Sequence, residues 1–248
     1  MFFKGNGARK LVVLRAVVGA LAFFSVLFVS CAKPPSEEFP AYPPRALEGT
    51  KAERFDILRA RAREVRSCVV LLIGDSLVEG FYKTCHGPGI FAAGVQGAGV
   101  RDWLDQAPAL LGLLKPQRVI LALGVNDSRI PVDKLPEFFR DYERLCGIAS
   151  AAAPLSLSTI LPVRRGKGRT TRFGDRIDPG MIRRMNEGIA RIAAAGGYGL
   201  IDSHRYMADG YGMLPEDLTF DGVHLTRAGY AKWEAILFPG HMADVRGG

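Results

Sequence analysis

The chain has 248 residues, 48% hydrophobic and 23% charged, a balance that excludes a disordered or low-complexity protein. That length fits one mid-sized α/β domain better than two small ones. The formal charge of +8 is partly an N-terminal matter, because Lys4, Arg9, Lys10 and Arg15 occupy the first 30 positions with no acid among them. Beyond that segment 29 basic residues face 25 acidic ones, an excess of +4 that needs no polyanion, so nucleic acid is not an expected partner.

The four basic residues are followed by Ala16–Val29, 14 residues without a charge. A run that short falls below the ~20 residues of a membrane span and suits the apolar region of an export signal. It ends in Leu27-Phe28-Val29-Ser30-Cys31, which resembles a bacterial lipoprotein signal, with Phe28 standing where leucine is usual. In that pattern the cysteine is lipidated and becomes the new N-terminus, so Cys31 is the expected lipidation site. The alternatives are an uncleaved anchor or an ordinary secretory signal, and each places the domain outside the cytoplasm. Residues 1–30 are thus read as signal and 31–50, with Pro34, Pro35, Pro40, Pro43 and Pro44, as an extended tether. Residues 51–248 remain as the folded domain, lipid-anchored at a membrane of the cell envelope.

Lys51 to Ser67 predicts an amphipathic helix with Phe55, Ile57, Leu58 and Val65 on its apolar face. Cys68 to Ile73 is a continuous apolar run, the pattern of a strand buried on both faces. Gly89–Val95 and Val119–Leu123 predict further strands, with a helix over Trp103–Leu114 between them that Pro116 closes. A long helix over Val132–Ala153 precedes a strand at Leu155–Leu161. Met181–Ala195 reads as a helix ended by Gly196-Gly197, Tyr198–Ile201 as the fifth strand, and Thr226–Phe238 as the last helix. Such alternation predicts a parallel sheet covered by helices on both faces. Between these elements, residues 164–176 hold six basic residues and one acid, Asp175. That segment is read either as a solvated loop or as one that attracts anionic substrates or lipid headgroups.

Cys68, Cys85 and Cys146 show neither CxxC nor metal-ligand spacing, so no metal and no cofactor are expected. Cys68 and Cys146 are read as small buried hydrophobes. The chemistry gathers instead at the predicted carboxyl ends of strands, where open α/β sheets bind ligands. Gly74-Asp75-Ser76-Leu77 follows the first strand, Gly94-Val95-Gln96-Gly97 the second, Gly124-Val125-Asn126-Asp127 the third, and Asp221-Gly222-Val223-His224 comes after the fifth. Taken singly, Ser76 could cap a helix, Asn126-Asp127 could form a turn and His224 could be structural.

Together these blocks resemble the SGNH, or GDSL, hydrolases over about Val69 to Ile236, with Ala92 where that family often has asparagine. The resemblance implies a flavodoxin-like three-layer αβα sandwich around a five-stranded parallel sheet. It implies Ser76 as nucleophile, His224 as base and Asp221 as the residue that orients the histidine. It also implies an oxyanion hole from the backbone amides of Ser76 and Gly94 and the side chain of Asn126. Gly94 is expected to be glycine so that substrate can approach the backbone. Asp75 and Asp127 are expected to brace loops, while His86, His204 and His241 are read as structural or exposed, with His86 a candidate for the pocket rim.

The ending from Asp217 to Tyr230 is similar to that of platelet-activating-factor acetylhydrolase-like bacterial esterases. The expected substrate is therefore a short-acyl, acetyl-type ester of a carbohydrate or lipid. The rival reading on the same fold is a catalytically inactive surface-binding lipoprotein. An α/β-hydrolase is excluded because Gly74 and Val78 flank Ser76 without the Gly-x-Ser-x-Gly pattern. A dinucleotide-binding fingerprint is absent as well.

Overall fold

A computed structural model describes residues 50–84, 89–166 and 173–239, all within the larger of the two units into which the chain divides, Phe39–Gly248. The expected signal, Cys31, the tether, Cys85, His86, His241 and residues 167–172 lie outside the described residues. Five strands form one parallel sheet: β1 (Val70–Gly74), β2 (Ile90–Gly94), β3 (Arg118–Ala122), β4 (Leu155–Ser158) and β5 (Gly199–Ile201). Their order is β2-β1-β3-β4-β5, the flavodoxin-like arrangement, in which the direction of winding reverses between β1 and β3. The five-stranded αβα expectation therefore holds. β1 registers Gly74 against Gly94 on one side and against Ala122 on the other, which aligns the carboxyl ends of three strands.

The helices between them are α1 (Lys51–Glu64), α2 (Ser76–Thr84), α3 (Val100–Leu114), α4 (Leu135–Ala152), α5 (Pro179–Gly196), α6 (Ser203–Met207) and α7 (Arg227–Leu237). Local chemistry starts several of them. Thr50 and Glu53 form a reciprocal capping box at α1. Asp178 caps α5 with Pro179 in its first turn, and Thr226 caps α7 through the Gly229 N–H. Two elements escaped the sequence pattern, α2 and α6, because α6 has only five residues and α2 begins inside the Gly-Asp-Ser-Leu block.

Leu71, Leu72 and Ile73 are wholly buried, and full burial of such side chains contributes about 1.5–3 kcal/mol each. Cys68 and Cys146 are buried free thiols, as expected. The apolar face of α1 differs from expectation. Ile57 is 41% exposed, whereas Phe55, Leu58, Ala62 and the charged Arg54 are buried. Arg54 can sit inside because its Nη1 donates to Glu79 Oε1 of α2 at 2.7 Å. Phe55 packs edge-on against Trp103 with ring centroids 5.1 Å apart, and the Trp103 indole donates to Gly74 O at 3.0 Å. Helix α1 is thereby tied, through α2 and α3, to the end of β1.

Candidate active site

The chain leaves β1 at Gly74 and turns directly into α2. Asp75, not Ser76, caps that helix: its Oδ1 accepts the Leu77 N–H at 2.9 Å and its carbonyl accepts the Glu79 N–H at 2.9 Å. Ser76 is therefore the first helical residue, with its hydroxyl free to face the sheet edge. There His224 Nε2 lies 3.0 Å from Ser76 Oγ. The other ring nitrogen, Nδ1, lies 2.6 Å from Asp221 Oδ2. The structure thus joins three residues, separated by up to 148 positions, in one hydrogen-bonded line.

Asp221 is itself held. Its Oδ1 accepts the backbone N–H of Val223 at 3.0 Å and of His224 at 2.8 Å, leaving Oδ2 for the imidazole. Burial raises the Asp221 carboxyl, but the hydrogen bond and charge of His224 with those two amides outweigh it, so the net shift is below the ordinary value. The stability this contributes is present above the usual aspartate range and is lost as pH falls through the lowered pKa. Thr219 closes the loop by donating to His224 O at 2.7 Å and accepting the Gly222 N–H at 2.9 Å. Gly222 has φ +89, and its carbonyl accepts the Arg164 N–H at 2.8 Å, anchoring the loop to the segment after β4. Phe220 stacks on the imidazole at 5.8 Å and Phe173 meets it edge-on at 5.7 Å.

Asn126 follows β3. Its Nδ2 donates to Ala98 O at 3.0 Å and its Oδ1 accepts from Arg129 Nη2 at 3.2 Å, which sets the amide with one N–H still to give. Ser76, His224 and Asn126 border one cavity of about 180 Å³ with apolar walls from Val125, Ile177 and Val223. That is smaller than the roughly 300–1,000 Å³ of pockets for drug-sized ligands, and it suits a small part of a larger substrate.

Gly94 is a correction. It does not border the cavity, and Gly97 does. The Val95 N–H donates to Gly74 O at 3.4 Å, so the Gly94 N–H, one residue earlier on the strand, turns away from β1. Nor is substrate approach the reason for a glycine there. A Cβ on Gly94 would lie 1.9 Å from the Glu79 nitrogen, so packing of α2 on β2 demands it. Gly97 has φ +75 in the turn closed by Ala98 N–H to Val95 O at 3.0 Å, a conformation that favours glycine. Glu79 Oε2 holds that turn by accepting the Gln96 N–H at 2.6 Å. The Gln96-Gly97 turn pair was the available signal, but with Ala92 in place of asparagine the block had no anchor for its register.

Phe173, Arg129 and Arg176, which also border the cavity, carried no motif. Of the segment 164–176, Arg164 serves the fold, pairing with Asp209 at 3.7 Å and Glu216 at 3.6 Å. His204 lies on α6 with its amide on Thr159 Oγ1 at 2.8 Å and does not border the cavity.

Asp75 and Asp127 brace loops, as expected. Asp127 receives the Val100 N–H at the start of α3 at 3.3 Å. Burial pushes Asp75 up to about 7 against the pull of Leu77 and His224, and pushes Asp127 up to about 6 against the Val100 N–H. Raised carboxyls hold protons in the folded state that the unfolded chain releases. Their stabilisation is full below the ordinary aspartate value and is lost as pH rises through 6 to 7. Asp75→Asn keeps the acceptor for Leu77, so from pH 4.5 to 8 it should gain roughly 2–4 kcal/mol relative to wild type. Urea denaturation at both pH values measures this, and identical pH trends for the two proteins would refute it.

The sequence pattern of the GDSL-like lipase/acylhydrolase family matches residues 72–232, a span that contains every residue of this site. The chain belongs to that family. As a GDSL-family protein it is a carboxylic ester hydrolase. Solved structures share the fold. A GDSL-like lipase from Bacteroides thetaiotaomicron is 21% identical with a TM-score of 0.65, covering 79% of this chain and 100% of its own. A protein from Streptococcus pneumoniae, provisionally described as a platelet activating factor, is 22% identical with a TM-score of 0.63, covering 75% and 92%. A catalytic mutant of Axe2, an acetylxylan esterase from Geobacillus stearothermophilus, is 17% identical with a TM-score of 0.51, covering 69% and 93%. No curated protein matches the chain. Among the described residues no cluster of ligating side chains could hold a metal, and no helix is long and apolar enough to cross a membrane.

Proposed function

We propose that this GDSL hydrolase cleaves short-acyl esters, acetyl above all, through an acyl-enzyme on Ser76. The observation that carries it is the line Ser76 Oγ, His224 Nε2, His224 Nδ1, Asp221 Oδ2, at 3.0 and 2.6 Å, on the sheet edge where ligands bind. His224 takes the hydroxyl proton as Ser76 Oγ attacks the ester carbonyl carbon. The tetrahedral oxyanion is met by the Ser76 N–H at the start of α2, the remaining Asn126 N–H and the turn of Gly97. Collapse breaks the ester bond, and His224 returns its proton to the departing alcohol. Water then attacks the acyl-enzyme by the same route in reverse and releases the acid.

The small cavity favours a short acyl group, and the acetylxylan esterase among the structural neighbours supports an acetyl ester, of a carbohydrate or a lipid. A p-nitrophenyl series should show rates falling from acetyl to octanoyl, and a fluorophosphonate should add its mass to the Ser76 peptide. Labelling elsewhere, or a preference for octanoyl, would overturn the reading. Asn126→Ala should lower kcat by roughly 10²–10³-fold with little change in KM, since the amide acts on charge present only in the transition state. A loss confined to KM would make Asn126 a substrate-binding residue instead.

We further infer that residues 1–30 export the enzyme and that lipid on Cys31 anchors it to a membrane. The support is the basic, apolar and Ser-Cys sequence of that segment. Several acyl chains hold a protein where one holds it only marginally. Incorporation of a fatty-acid analogue that Cys31→Ser abolishes, with a lipidated Cys31 as the mature N-terminus, is the expected result. An unmodified N-terminus at another residue would remove the anchor and leave the esterase untouched.

A further inference from the structure

Two guanidinium groups border the cavity, and no carboxylate does. Arg129 and Arg176 line it beside Ser76 and His224, and neither has a carboxylate within ion-pair distance among the described residues. Asp221 is committed to His224. Asp175, next to Arg176 in sequence, accepts the Gly166 N–H at 3.1 Å.

The two arginines occupy different sides of the reaction. Arg129 is bonded to Asn126, through Nη2 to Oδ1 at 3.2 Å and Nε to the carbonyl at 3.4 Å, so it lies on the side where the oxyanion forms. Arg176 is linked to His224 through Phe173. Its guanidinium carbon is 5.7 Å from the centre of the Phe173 ring, which in turn meets the His224 ring edge-on at 5.7 Å. His224 delivers the proton to the leaving alcohol, so the alcohol half of the ester departs on the His224 side of the cavity. Phe173, 48% exposed, and Arg176 flank that exit with an aromatic face and an unneutralised cation.

We infer that Phe173 and Arg176 form an alcohol-side subsite for an anionic alcohol, one bearing a carboxylate or phosphate close to the acylated hydroxyl. The inference rests on the ester-hydrolase mechanism proposed above and narrows its substrate class. A carboxylate or phosphate would accept hydrogen bonds from Arg176 in a planar fork, which an ammonium cannot offer. A sugar ring or aromatic alcohol would lie on Phe173.

The test compares three acetyl esters: 4-acetoxybenzoate, its neutral methyl ester and 4-acetoxyphenyl phosphate. For each, kcat/KM is measured with wild type, Arg176→Gln, Arg176→Lys and Arg176→Glu. Ratios between enzymes cancel the intrinsic reactivity of each leaving group. Arg176→Gln should lower kcat/KM for the anionic esters roughly 10-fold more than for the neutral one. Lysine should restore part of that difference, glutamate should deepen it, and salt should erode the anionic preference of wild type and Arg176→Lys more than that of Arg176→Gln. The carboxylate and phosphate arms show which anion the subsite prefers, and a loss in either supports the subsite. Equal losses on charged and neutral esters, or no change in ratio, would overturn the inference and leave the esterase mechanism standing. Failure of wild type to hydrolyse any of the three, with Ser76 unreactive to fluorophosphonate, would overturn both.

Discussion

Ser76→Ala is expected to lower kcat/KM for ester hydrolysis by roughly 10⁴–10⁶-fold with the fold unchanged. The size follows from the division of labour at the end of β1. Removing Oγ leaves His224 with nothing to deprotonate and the carbonyl with no covalent partner. The backbone amides and Asn126 still stabilise charge if water attacks, which sets a residual rate above the uncatalysed one. The fold should survive because the cap of α2 belongs to Asp75, through its bonds to Leu77 and Glu79, and not to Ser76. Circular dichroism and urea denaturation check the fold, and active-site-directed phosphonate should no longer label the protein. Turnover within about tenfold of wild type in a folded variant would place the nucleophile elsewhere.

Asp221→Asn should cost about 10⁴-fold in kcat while changing KM little, and the reason is a proton's position rather than a lost contact. Asp221 Oδ1 holds two backbone N–H groups, so the substituted asparagine keeps its oxygen there and turns its NH₂ toward His224 Nδ1. That nitrogen must then accept, which moves the ring proton to Nε2, opposite Ser76 Oγ. The imidazole is thereby held in the tautomer that cannot act as a base. NMR of the histidine ring nitrogens, read beside kcat, tests both halves of the argument. A wild-type tautomer with normal turnover would make Asp221 a structural turn residue.

Ser76, Asn126, Asp221 and His224 were legible in the sequence because each stands in a short block next to an apolar strand or a capped helix. Periodicity placed the first blocks at strand ends, and their order along the chain, through the resemblance to GDSL hydrolases, suggested the roles. Gly94 shows where such reading stops. Substrate, a turn or a neighbouring helix can each demand a glycine beside a strand, and only tertiary structure tells these apart. Here the Glu79 backbone 1.9 Å from a would-be Cβ accounts for Gly94, while Gly97 holds the place at the cavity.

By itself, then, the sequence determined the apolar strands, the alternation of strands with helices and the short blocks that hold Ser76, Asn126, Asp221 and His224, since each of these depends on residues within a few positions of one another. Tertiary structure alone decided which glycine borders the cavity, why Arg54 can be buried, and that Phe173 and Arg176 line the cavity with His224. Each of these depends on contacts across the sheet edge between segments distant in the chain, such as Arg54 with Glu79 and Arg164 with Gly222. Such pairings carry no local period or motif. They arise when the parallel sheet brings its strand ends together.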